Sequence, residues 1–157
     1  MNAADLLIPF LARLLIVVLF PFSALEKIIF WRTAMAQTAT GLLPVGPALG
    51  RPLMLTAIAV ELVTPVCIVL GWHDRPAAAV LAAFCLVTAV LYHPFWRNGD
   101  FWAAGKSEGR THFWDFLKNL AIIGALLLLA VAQPLPLSTV LQAPWGSAPY
   151  AAVTAAP

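Results

Sequence analysis

The stretch His112–Ala132, HFWDFLKNLAIIGALLLLAVA, decides the fold. From Leu120 to Ala132 every residue is apolar, counting Gly124, as expected of a helix in hydrocarbon. Its first turns nonetheless carry Asp115, Lys118 and Asn119, at i, i+3 and i+4 on one helical face. An ammonium a turn and a half inside a bilayer costs about 2.5–3.5 kcal/mol on insertion scales, so it requires a partner. Working outward, three more apolar stretches cover 7–30, 52–72 and 77–96. Each reaches across ~30 Å of hydrocarbon at about 1.5 Å per residue. With 113–132 they make an all-α protein: an integral membrane four-helix bundle over residues 1–132. The links are too short to cross the bilayer again, which dictates up-down-up-down order. Residues 133–157 form an uncharged Pro/Ala-rich tail.

Composition agrees. The chain is 62% hydrophobic and 10% charged, against about 25% charged for a soluble domain. A net charge of +2 with scattered basic residues excludes nucleic acid as a partner. Cys67 and Cys85 sit inside apolar runs and form no C-x-x-C pair. They read as small hydrophobes, without a disulfide framework, a metal site or a thiol redox centre. The GKS of the loop Arg97–Thr111 is not a phosphate loop, because five residues rather than four separate Gly99 from Gly105 and no strand precedes it.

The connections carry finer expectations. Pro21 should kink helix one and Pro65 should bend helix two beside Glu61. Thr33–Thr40 is expected as a short helical turn on the membrane surface, before the breakers Gly41, Pro44, Gly46 and Pro47. Arg13, near the opposite face, is expected to snorkel. Arg32, Arg51, Arg97, Lys106 and Arg110 lie in the loops on one side and Arg75 alone on the other. That bias places the loops Trp31–Arg51 and Arg97–Thr111 in the cytoplasm and both termini in the periplasm of a bacterial inner membrane.

Depth along each helix brings the polar residues together. From the charged-loop side, Lys27 and His93 lie roughly 5 Å in, Glu26 and Lys118 roughly 7 Å, and Glu61 roughly 13 Å. Asp115 stands at the entrance. Glu26, Lys27 and Asp115 read equally well as solvated anchors or site residues, and His93, followed by Pro94, as a cap or a ligand. Glu61 and Lys118 invite two readings: a structural bridge between helices, or a site that binds or protonates something.

At these residues the chain resembles a known family. FSALEKIIFW, ELVTPVCIVLGW, LVTAVLYHPFW and FLKNLAIIGALLLL resemble the DoxX family of small bacterial membrane proteins, over roughly Phe10–Ala132. Ser23-Ala24-Leu25 stands where the family often has Ser-Gly-x, and Thr64-Pro65 where it often has glycines. The resemblance implies a four-helix membrane fold. It further implies a place in quinone-linked systems such as thiosulfate:quinone oxidoreductases, or in complexes handling thiol and oxidative stress. It carries the family's polar positions onto Lys27, Glu61, His93, Trp96, Lys118 and Asn119. For a quinone, which is not covalently bound, Lys118 or His93 would donate to one carbonyl and Asn119 to another. Glu61 or Asp115 would relay protons, and Trp96 and Trp114 would flank the ring. No haem or flavin motif is visible, with His112 read as a loop residue, so electrons would come from a redox partner subunit. The competing reading is a non-catalytic membrane anchor or assembly partner. A small-solute transporter ranks third, since it would need a homo-oligomer.

Overall fold

The computed structural model describes residues 3–131, as six α-helices: α1 (Ala3–Val17), α2 (Leu19–Ile29), α3 (Trp31–Thr38), α4 (Pro47–Leu70), α5 (Asp74–Tyr92) and α6 (Glu108–Val131). A short 3₁₀ turn, Phe95–Arg97, follows α5. Four helical stretches are long and apolar enough to cross a membrane: Leu6–Ile29, Pro47–Leu70, Asp74–Arg97 and Glu108–Val131. The expected tail, 133–157, lies outside the described residues.

The first span is interrupted at Val18, between α1 and α2. Pro21 is the cause, because it has no N–H for the Val17 carbonyl and its ring crowds that carbonyl. The kink therefore falls one turn before the proline. The remaining spans start earlier than hydropathy alone indicates. Pro47 sits at the first turn of α4 after an extended Gly46, a position where its missing N–H costs nothing. Gly71, at φ +69°, ends α4 in the left-handed region. There the Trp72 N–H donates to Cys67 O at 2.9 Å and the Gly71 N–H to Ile68 O at 3.3 Å, a Schellman closure.

Helix α6 begins at Glu108, ahead of the expected start at Phe113, because the loop supplies two caps. The Asp100 carboxylate accepts the N–H groups of Glu108 (2.7 Å) and Gly109 (3.0 Å), and Ser107 Oγ accepts the N–H of Arg110 at 3.1 Å. These N–H groups, Gly109 first, hold the Asp100 carboxyl below the usual carboxylate range. A Cβ on Gly109 would stand 2.9 Å from Asp100 Oδ1, so the close approach requires glycine. The Arg110 guanidinium donates to the carbonyls of Phe101, Ala103 and Gly105, fastening the loop to the helix. As a result His112 is helical, in correction of its reading as a loop residue.

The core centres on α5, which packs between α4 and α6, while α2 packs on α4. Ala77, Ala78, Ala82 and Ala89 are buried along α5, and small residues let backbones approach in lipid, where packing rather than water drives association. Ile68, Leu81, Leu126, Val17 and Cys85 fill the space around them. A second cluster, Ala24, Ala34, Met54 and Ile58, joins α2, α3 and α4. Helix α3 packs through one face: Ala34 and Thr38 are buried, and a Cβ on Gly50 would meet Thr38 Oγ1 at 3.0 Å, while Arg32, Thr33, Ala36 and Gln37 are exposed. Nor does Arg13 snorkel freely. Its guanidinium pairs with Asp74 Oδ2 at 2.7 Å and donates to Ile68 O at 3.0 Å, tying α1 to the end of α4 and the start of α5.

Candidate functional site: a buried ion pair on an internal cavity

Glu61 is the deepest charge in the bundle, 3% exposed at the middle of α4. Isolated, a carboxylate there would be prohibitively costly. Helix α2 meets that requirement with two side chains one turn apart. Lys27 Nζ donates to both carboxylate oxygens, at 2.8 and 2.9 Å, and Ser23 Oγ donates to Oε1 at 3.1 Å. Lys27 also donates to Ser23 Oγ at 2.6 Å, so the three groups form a closed triangle. Among the described residues every buried side-chain nitrogen or oxygen has a hydrogen-bond partner.

The expected bridge from Glu61 to Lys118 is therefore replaced by one to Lys27. Lys118 points outward, with 71% of its side chain exposed, and pairs with Asp115 Oδ1 at 2.9 Å on its own helix. Equal depth did not mean a shared interior: on α6 the side chain that faces inward is the next one, Asn119. Its amide donates to the Asp115 carbonyl at 2.9 Å.

The Glu61–Lys27–Ser23 triangle forms part of the wall of a cavity of about 300 Å³. His93, Asn119 and Thr88 contribute further polar groups, while Phe20, Met54 and Phe84 are among its apolar walls. Of the residues expected in a site, Lys27, Glu61, His93 and Asn119 line this cavity. Trp96, Asp115 and Lys118 do not. Trp96 packs edge-on against Phe95 and Phe116, with centroids 5.2 and 6.0 Å away, and is half exposed. Asp115 stands behind His93, its Oδ2 4.0 Å from Nδ1.

Ser23, Thr88, Gln37, Thr38 and His112 were not among the residues expected in the site. Gln37 and Thr38 of α3 line the cavity because that helix packs against α2 and α4 through Ala34 and Thr38. His112 Nδ1 lies 3.3 Å from His93 Nδ1, an arrangement in which one ring donates and the other accepts. Its signal was present in Asp100 and Ser107, whose capping brings residue 112 onto a helix. A second cavity of about 620 Å³ adjoins the first and shares Gln37, Tyr92 and His93 with it. Among the described residues no group of three or more His, Cys, Asp or Glu side chains is placed to hold a metal ion.

Four membrane-length helices around a paired internal charge define a small integral membrane protein with a polar centre. The chain belongs to the DoxX family, whose model matches residues 8–94. That match takes in Lys27, Glu61 and His93, with Asn119 beyond it. The chain is also similar to the inner membrane protein YphA of Escherichia coli (strain K12), 30% identical over 138 residues, which span 85% of this chain and 88% of that protein. No solved structure gives a significant match.

Proposed function

We propose that this chain is the inner-membrane subunit of a quinone-linked oxidoreductase, with the inner cavity receiving the quinone head. One observation carries the reading: donors and a paired carboxylate from α2, α4, α6 and the end of α5 meet on a cavity with apolar walls. Its volume of about 300 Å³ is at the lower end for small-molecule sites and suits a single substituted ring. A bound quinone would supply two-electron, two-proton chemistry, with electrons delivered by a redox partner subunit. His93 and Asn119 would orient the ring by donating to its carbonyl oxygens. Lys27 and Ser23 hold the Glu61 carboxylate at the cavity wall, where it can pass a proton. Lys27 takes the place that depth counting gave to Lys118.

The test is a melting curve of the purified protein with ubiquinone or menaquinone. A ligand that binds only the folded state stabilises by RT ln(1 + [L]/Kd), about 2.7 kcal/mol at a hundredfold excess over Kd. His93→Ala and Asn119→Ala should abolish the shift, and Lys118→Ala should retain it. A second reading is an anchor for a redox enzyme, in which the Lys27–Glu61 pair serves helix association and the exposed apolar faces of the spans meet lipid. Should no quinone shift the wild type while a co-purified subunit does, the anchor reading replaces the first.

The charge bias across the loops supports both termini in the periplasm. Alkaline phosphatase fused after Pro157 should then be active. Activity confined to a cytoplasmic reporter would invert the topology.

A further inference from the structure

The second cavity differs in chemistry from the first. Its lining residues include Arg97, His93, His112, Gln37 and Asn98, but no Asp or Glu. Among the described residues Arg97 forms no ion pair. The carboxylate behind the histidine pair, Asp115, is already held by Lys118 at 2.9 Å. Residues 132–157 contain no Asp or Glu that would neutralise Arg97 instead. A polar recess with a cation, two imidazoles and two amides, and without a carboxylate on its lining, is complementary to a negative ligand.

We propose that this outer cavity binds a phosphate-type oxoanion, either free or as the headgroup of an anionic lipid. The guanidinium offers paired N–H donors in the geometry that oxoanions accept, and charge-assisted bonds of this kind are roughly twice as strong as neutral ones. Asn98 lies next to Arg97 in sequence, and Gln37 comes from α3, so the donors belong to separate elements of the fold. His112 contributes from α6 through a ring already positioned by its contact with His93. The outer cavity shares Gln37, Tyr92 and His93 with the inner one, but Arg97, Asn98 and His112 line it alone, and its ligand differs in charge from a quinone.

The experiment uses the full chain, purified in a non-ionic detergent, with three probes: inorganic phosphate, dihexanoyl phosphatidylglycerol and, as a zwitterionic control, dihexanoyl phosphatidylcholine. Binding is read from the melting temperature across a titration. Arg97→Gln and His112→Gln are each expected to weaken binding about tenfold, the two variants guarding against a folding defect in one of them. Lys106→Gln, which removes a loop cation that does not line the cavity, should leave binding unchanged. A shift with inorganic phosphate identifies the free anion as sufficient. A shift with phosphatidylglycerol but neither of the other probes identifies the lipid headgroup. The proposal is overturned if neither anionic probe raises the melting temperature, if phosphatidylcholine acts equally well, or if Lys106→Gln weakens binding as much as Arg97→Gln.

Discussion

Lys27→Met is expected to lower stability by about 3 kcal/mol, the low end for breaking a buried pair, because the Lys27 side chain retains 24% exposure while Glu61 has almost none. The loss arises from the carboxylate left behind, not from the lysine removed. Ser23 alone cannot replace two charge-assisted bonds of 2.8 and 2.9 Å. Adding Glu61→Gln to Lys27→Met should therefore recover more than half of the loss, because an amide carries no charge to compensate. Lys118→Met should stay close to wild type, since its bridge to Asp115 is exposed and such pairs contribute about 0–1 kcal/mol. Unfolding of the wild type, these three variants and Glu61→Gln alone in a graded detergent series measures the differences. Equal losses in Lys27→Met and Lys118→Met, or strict additivity in the double variant, would show that Lys27 and Glu61 do not meet.

The second large effect is expected at Leu126. Helix α6 buries only Gly109 and Leu126 among its described residues, and Leu126 is 0% exposed. In lipid the removed methyl groups leave an apolar medium in both states, so the transfer part of a Leu→Ala change largely cancels. The cavity part remains, giving roughly 1–3 kcal/mol for Leu126→Ala. Leu128→Ala, two residues on and 66% exposed, is expected within about 0.5 kcal/mol of wild type. The same unfolding series reads both. A Leu128→Ala loss as large as that of Leu126→Ala would mean that α6 packs through a different face.

Much of the fold was legible because a bilayer leaves few choices: four apolar runs with short links have one simple arrangement. The helix ends were less so, since hydropathy tracks lipid and not hydrogen bonding. Gly46-Pro47 and the Asp100 and Ser107 caps extend α4 and α6 beyond their apolar portions. In the candidate site, Glu61, Lys27, His93 and Asn119 could be named from residue type and depth. Their pairing could not, because depth is a position along a helix and contact also depends on rotation about it. Lys118 and Asn119 differ by one residue in the chain, yet one is exposed and the other lines the cavity. The packing of α3 through Ala34 and Thr38 was hidden for a related reason, as its modestly polar sequence, WRTAMAQT, does not say which face meets the bundle.

The ion pairs also bear on how the chain enters the membrane. Arg13 with Asp74 and Lys27 with Glu61 both close within the first helical hairpin and its following turn, and Asp115 with Lys118 closes within a single turn of the last helix. During synthesis, Arg13, Lys27 and Glu61 meet their counter-ions before the third span is complete. The leading hairpin can partition into lipid with these charges balanced, without waiting for a partner still on the ribosome. Exchanging Lys27 and Glu61 would preserve that order of closure, whereas moving the lysine to α6 would leave Glu61 bare until the last span is made.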